Sequence, residues 1–345
     1  MNRQATTLIA ALTLVGCTTA LRADPVADFY HTHPVRLIIG SNNGGSYDSY
    51  GRMFAAHFSR HVPGEPAIQI ENMPGASGIR STNYLYSIAP KDGSTIAIVN
   101  QSMAQRQMLE PASVEFDMNQ FNWLGAMTNT GTIFITWGAS GVTSIDDAKA
   151  RQVTMGALSN DGGNAVYPLL LNRFLGTKFK IVLGYQGGNT IQLAMERGEV
   201  DGRGSVAWSG LKAGWPNWIA ERKVNVILQV GLVKEPELPN VPLLVDLARD
   251  DNERSIFRFI SSDSAMGFPI ATPPRAPADR VAALRKAVAE TLADADFLAD
   301  AQKRGLPVSA ASGEEVAAIV NSQISTPKEV ISVLKQSLSE AEKGR

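Results

Sequence analysis

The sequence contains a single cysteine, Cys17. One thiol closes no intrachain disulfide, so even in an oxidising compartment the fold must be held by its core. Charge is sparse and balanced: 32 Lys and Arg against 33 Asp and Glu give a formal net charge of -1, and charged residues are only 19% of the chain. Without a basic excess there is no field to gather nucleic acid, and no block of like charge marks an interaction tail. Past the N-terminus no apolar run approaches the ~20 residues that span a bilayer. The nucleotide, zinc-protease and serine-hydrolase patterns G-x-x-x-x-G-K-[ST], H-E-x-x-H and G-x-S-x-G do not occur.

What is present is an ordinary globular composition, 44% hydrophobic over 345 residues with 30 glycines, a length that suggests about two domains. The first 23 residues read as a targeting segment: Arg3 supplies a positive charge and Ala5 to Val15 an apolar core too short for an anchor. Two exits are open. Leu14-Val15-Gly16-Cys17 matches a lipobox that would leave Cys17 lipidated; Leu21-Arg22-Ala23 permits ordinary cleavage after Ala23. Either implies export.

The chain is organised around Arg36–Asp48. Val35 to Ile39 is an apolar, β-branched strand. Gly44 and Gly45 allow a sharp turn and close approach to a ligand, and Tyr47, Gly51, Phe54, Phe58 and Val62 recur near one helical face until Pro63-Gly64. A strand-to-helix loop of this kind presents the unpaired N–H groups and positive dipole end of a helix, which favour an anion. The device recurs. A strand at 67–72 leads through Met73-Pro74-Gly75-Ala76-Ser77-Gly78 into a helix, and a strand at 94–99 ends at Asn100-Gln101-Ser102. Strand, helix, strand, helix, strand implies a parallel α/β sheet whose loops share the carboxyl edge. Asn122 to Trp137 reads as one strand leaving this unit. A second α/β unit follows, with Ser159-Asn160-Asp161-Gly162-Gly163 and Gly184-Tyr185-Gln186-Gly187-Gly188-Asn189 as its loops. A helical tail closes the chain, with capping boxes at Ser312/Glu315 and Thr326/Glu329.

Six stretches in order resemble the extracytoplasmic substrate-binding proteins of tripartite tricarboxylate transporters, the Bug or TctC family: G-G-S-Y-D-S-Y-G-R, E-N-M-P-G-A-S-G, A-P-K-D-G-S-T, G-A-L-S-N-D-G-G-N, G-Y-Q-G-G-N and G-E-V-D-G. The resemblance covers nearly all of the chain after the targeting segment. It implies an α/β, two-lobed periplasmic-binding-protein fold of type II, a Venus flytrap with its cleft between the lobes. It also implies a periplasmic receptor that captures a small carboxylate, delivers it to membrane transporter subunits, catalyses nothing, and needs no cofactor or metal. The expected lobes are 24–127 plus 262–345 and 128–261, in a monomer. Two departures stand out: Asn43-Gly44-Gly45 replaces the family's Pro-Gly-Gly, and Arg203 stands where an apolar residue is common.

The expected ligand-binding residues are Ser41, Asn42, Asn43, Gly44, Gly45, Tyr47, Asp48, Ser77 and Gln101 in the first lobe, and Ser159, Asn160, Gly188, Asn189, Arg203 and Trp208 in the second. Neutral side chains with backbone N–H groups hold a carboxylate without a counter-charge. Asp48 is read as a helix-dipole partner, while the resemblance implies a role in shaping the loop or in binding the ligand's polar end through water. Arg52, Arg80 and Arg203 are candidate counter-ions; the bland reading of Arg203 is an ion pair with Asp201 or a surface position. Trp208 is the tryptophan expected to face the cleft. Two rivals come from other classes: a hydrolase using Ser77 with a histidine base, and a metal-binding protein using His31, His33, His57 and His61.

Overall fold

The structure, a computed structural model, describes residues 24–129, 131–158, 163–185 and 187–343. Its strands are β1 (Val35–Ile39), β2 (Ile68–Asn72), β3 (Thr95–Ile98), β4 (Asn122–Thr128), β5 (Thr132–Trp137), β6 (Val153–Gly156), β7 (Phe179–Val182), β8 (Gly202–Ala207), β9 (Val224–Val230), β10 (Gly267–Thr272) and β11 (Ala311–Ser312). They form two sheets, in the orders β11-β4-β10-β3-β1-β2 and β7-β6-β8-β5-β9.

Each sheet has a parallel half and an antiparallel half. β1 runs parallel to β2 and β3, and β6 to β7 and β8. β10 lies antiparallel to β3 and β4, and β5 antiparallel to β8 and β9. The antiparallel strands are where the chain changes lobe, which a purely parallel reading misses. The run 122–137, expected as one strand, is two: β4 completes the first sheet and β5 opens the second. β-branched and aromatic residues flank the crossing on both sides and outweigh the turn residues Asn129 and Gly131 that mark the break.

The inner parallel strands β1, β3 and β6 are mostly apolar because both their faces are covered, whereas the edge strands β2 and β7 are interrupted by Gln69, Glu71 and Lys180. Leu37 and Ile39 face one cluster with Phe54, Phe58, Leu284 and Phe297; Ile38 points the other way, among Trp123, Val316 and Val320. Burying each such side chain contributes about 1.5–3 kcal/mol. In the second sheet Phe134, Val153 and Met155 pack with Leu171 and Phe257, while Ile133 and Ile135 pack with Ile191 and Met195 on the opposite face.

The last helix, Lys328–Lys343, does not follow the expected division. Its Val330, Ile331 and Leu334 lie in the second lobe's core, with Leu171 and Phe257, although 262–345 was expected to belong wholly to the first lobe. A helix joins whichever apolar surface accepts its stripe, and the tail is long enough to reach back. The Ser312/Glu315 capping box forms as expected, whereas the Thr326 hydroxyl donates to the Ser322 carbonyl of the preceding helix.

Candidate functional site

At the carboxyl edge of the first sheet, the loops after β1, β2 and β3 meet around a cleft of about 340 Å³. Ser41, Asn42, Tyr47 and Ser77 line it, as expected, together with Gly40, Pro74, Gly75, Gly78 and Asn100. All are neutral. The close fit is visible at Gly40, where a Cβ would stand 2.4 Å from Ser81 Oγ. The loop after β2 is unusual: Gly75, Ala76, Ser77 and Gly78 all have positive φ, at 138°, 45°, 52° and 100°. Non-glycine residues held there cost on the order of 1–3 kcal/mol each, and such strain clusters where backbone is shaped for a ligand. The Asn100 amide fixes the loop by donating to Ser77 O at 3.0 Å, while its oxygen accepts from Ser102 N–H and Oγ.

Asp48 is only 4% exposed and has no contact to spare. It accepts from Gly44 N–H at 2.9 Å, from Asn72 Nδ2 at 2.9 Å and from Arg52 Nε. Asn72 also donates to Ser41 O. The Arg52 guanidinium, helped by the Gly44 N–H and the Asn72 amide, holds the carboxyl down at about 2 against the opposing effect of burial. Asp48 therefore shapes the loop, and Arg52 is its counter-ion. Gly44, at φ 82°, needs to be glycine; Gly45, at φ -81° with nothing closer than 3.8 Å to its would-be Cβ, does not on the protein's own account. Asn42, Asn43, Gly44 and Gly45 are exposed on the loop. Tyr47 packs edge-on against Phe268 at 4.7 Å, and its oxygen accepts the Gln101 N–H at 3.3 Å.

The second lobe offers a different surface. Ser159 and Asn160, expected to bind ligand, lie outside the described residues. Gly188 and exposed Asn189 begin the helix Gly188–Glu196. Against them lies Arg203 of β8: a Cβ on Gly188 would sit 2.4 Å from Arg203 Nη1. The expected ion pair with Asp201 is not formed. Asp201 accepts from both the N–H and the hydroxyl of Thr154, each at 2.7 Å. Arg203 is half-buried; its Nε is shut off from water and has no hydrogen-bond partner among the described residues. Burial alone pulls the guanidinium down to about 10, so it stays charged at neutral pH. Next along the strand, Ser205 sits at φ 55° with its Oγ against Gly163, the first residue of the helix Gly163–Leu175.

Trp208 is a correction. It is buried, and its indole N–H donates to Glu237 at 3.0 Å, which also binds Lys212. An acceptor 29 residues downstream claims it for the core. Arg80, the remaining counter-ion candidate, is exposed and leans on Pro74 O.

Sequence reasoning missed Asp263, which lies in the crossing Ser262–Ala265 between the helix Asp251–Ser261 and β10. It is 7% exposed. Burial pushes its carboxyl up to about 7, opposed by the Ser264 N–H and the Tyr167 hydroxyl. Tyr167 belongs to the second lobe, and Tyr47 of the first feels the same charge. No short-range motif announces such a residue.

The rival chemistries find no support in the geometry. His57 Nε2 faces Asp300 at 3.3 Å and His61 Nε2 faces Asp294 at 3.2 Å, at the far end of the helix from Ser77. His33 stacks on Phe29. Among the described residues no group of three or more His, Cys, Asp or Glu side chains is placed to hold a metal, and no helix is long and apolar enough to cross a membrane.

Two mixed α/β sheets joined by crossing strands, with strand-to-helix loops at their edges, define a periplasmic-binding-protein fold. In particular, the fold is that of the TctC and Bug solute-binding proteins. It matches a TctC solute-binding protein from Polaromonas with a TM-score of 0.69 at 17% identity, covering 90% of this chain and 99% of that one. The periplasmic binding protein BugD matches with a TM-score of 0.60 at 18% identity, over 89% and 98% of the two chains. MatC from Rhodopseudomonas palustris, a structure with bound malate, matches with a TM-score of 0.58 at 18% identity, over 89% and 99%. In sequence, 91 residues are 41% identical to a UPF0065 protein from Cupriavidus necator; the match covers 26% of this chain and 27% of that protein. No family model matches the chain.

Proposed function

We propose that this chain is an extracytoplasmic solute-binding receptor that closes its two lobes on a small carboxylate and presents it to a membrane transporter of the tripartite tricarboxylate type. The observation that carries this reading is the first-lobe cleft, lined only by neutral groups and backbone beside helix starts. Such a lining suits an anion that must later be released, because N–H donors bind carboxylates well without a fixed counter-charge. The solved relative with malate bound has the same fold and supports the ligand class.

In this reading Ser41, Asn42, Asn43, Tyr47, Ser77 and Gln101 hold one end of the ligand, and Gly188, Asn189 and Arg203 meet it from the second lobe. Closure stabilises the protein by no more than the ligand's preference for the closed state. The receptor works as a monomer in the periplasm, released or tethered through Cys17, and returns its ligand unchanged. A thermal-shift panel of mono-, di- and tricarboxylates against sugars and amines tests it. A ligand at 100 times its Kd adds about 2.7 kcal/mol, a clear rise in melting temperature. Shifts with sugars or amines but with no carboxylate would remove the reading.

A further inference from the structure

Asp263 sits where the lobes are joined. Thr128, the last residue of β4, pairs with Gly267, the first of β10, so two crossings leave the first sheet side by side. Gly231, just past β9, lies against the same place: a Cβ there would meet Ser264 Oγ at 3.5 Å and Gly131 Cα at 3.7 Å. Relative movement of the lobes bends these segments. Ser262, Asp263 and Ser264 are nevertheless buried. Beside them Ser261 Oγ and Gln323 Oε1, in residues 0% and 1% exposed, have no partner among the described residues. A buried polar seam with acceptors left over is costly for packing alone.

The groups around Asp263 come from both lobes. From the second, the helix Gly163–Leu175 brings the Tyr167 hydroxyl, which donates to the carboxylate. From the first, the helix Ser46–Phe58 brings Tyr47, which feels the same charge. The helices Met103–Leu109 and Gly313–Ile324 contribute only neutral amides: Gln105 donates to Phe259 O at 2.8 Å and Gln323 to Ser262 Oγ at 2.7 Å. Arg258 of the preceding helix is exposed, and Arg106, beside Gln105, pairs with Glu110. Among the described residues no Lys, Arg or His acts on Asp263. Tyr47 is the link to the ligand site. Its side chain lines the first-lobe cleft with Ser41, Asn42 and Ser77, and its oxygen accepts the Gln101 N–H at 3.3 Å. An anion in that cleft and an ionised Asp263 would therefore be like charges in one poorly solvated region, where each makes the other harder to keep ionised. The anion favours the protonated acid, and the protonated acid favours the anion, by the same factor.

We propose that the receptor binds its carboxylate together with a proton, and that Asp263, at the junction of the lobes behind Tyr47, is the group that holds it. This rests on the receptor reading above and adds a second ligand to it. The proton comes from solvent and stays on the Asp263 carboxyl; the bound carboxylate remains ionised. The first-lobe loops supply no positive charge, so removing a nearby negative one serves the same end, and the proton returns to solvent when the anion leaves.

The test is calorimetry on the full chain with benzoate, succinate and glutarate between about pH 6.5 and 9, where these acids are ionised. Each titration is repeated in two buffers of different ionisation enthalpy, which reads proton uptake directly. Below its folded value of about 7 Asp263 already holds its proton; above it, the proton must be regained on binding. Affinity should therefore fall roughly tenfold from the bottom to the top of that range, with uptake of up to one proton along the fall. Asp263→Asn, which keeps the shape, should abolish the uptake and flatten the profile. Tyr167→Phe removes a donor to the ionised form, so the fall should begin at higher pH. Carboxylate binding without proton uptake overturns the linkage and leaves the receptor reading standing. Uptake that persists in Asp263→Asn overturns the assignment to Asp263. Should that variant fail to fold, Tyr167→Phe decides, and an unmoved profile overturns the assignment. A chain that binds none of these probes, nor any other carboxylate of the thermal-shift panel, removes the receptor reading and the linkage together.

Discussion

The two lobes present opposite kinds of surface at their strand-to-helix loops. The first-lobe half is internally satisfied: Asp48 is neutralised by Arg52, its other lone pairs are taken, and Asn72 and Asn100 tie the loops to each other. It can be rigid and neutral before any ligand arrives. The second-lobe surface holds Arg203, half-buried and with no ion pair among the described residues, beside helix starts. Preorganisation sits in one lobe and positive charge in the other, so an anion that bridges them gains most from closure.

The contrast can be broken from the first-lobe side with the largest loss of stability. Asp48→Ala leaves the Gly44 N–H, the Asn72 amide and Arg52 without their acceptor, and should lower unfolding free energy by about 2–3 kcal/mol, as for hydrogen bonds to a charged group. Urea titration measures it. The same carboxyl gives a pH signature. Its folded value, about 2, lies below the ordinary 3.8, so its stabilisation is complete above pH 4 and is lost as pH falls through 2.

Asp263, between the halves, has the opposite sign. Its folded value of about 7 lies above the ordinary 3.8. The folded state holds the extra proton between those values, so stability should fall as pH rises from 4 to 7 and level off above. Asp263→Asn should flatten that slope, which the rise from 3.8 to about 7 makes worth roughly 4 kcal/mol by pH 7. Melting temperatures in matched buffers decide it; an unchanged slope would mean that Asp263 is ionised in the folded protein.

A smaller effect separates the halves directly. Gly188→Ala puts a methyl where Arg203 Nη1 lies, and the flexible side chain must move away. Affinity should drop about tenfold, near 1.4 kcal/mol, with little change in unliganded stability. Smallest of all, Gly45→Ala should change stability by less than about 0.5 kcal/mol, because its φ suits any residue and the space is open. Any affinity lost there measures how closely the ligand approaches the first loop.

The legible parts of the sequence were the local ones. Val35 to Ile39 followed by Gly44-Gly45 and an amphipathic run sets strand, loop and helix between Val35 and Phe58, and Ser41, Asn42, Tyr47 and Ser77 come together as read. What the sequence concealed depends on distant partners. Arg203 could be judged only once Thr154 was seen to occupy Asp201, and Trp208 only once Glu237 was found beneath it. Asp263 carries no motif; its character comes from being walled in by two lobes. The break between β4 and β5 is signalled by Asn129 and Gly131 but outweighed by the strand-forming residues on either side.

The terminal helix has a consequence for how the molecule can be cut. The chain passes between the lobes at 128–132, again at 262–267, and a third time to seat Val330, Ile331 and Leu334 on the second core. Residues 128–261 are thus not a portable module. Excised, they would bare an apolar strip beside Leu171 and Phe257, inviting self-association. A biosensor built from this scaffold should take its reporter in a surface loop, and must keep the last sixteen-residue helix in place.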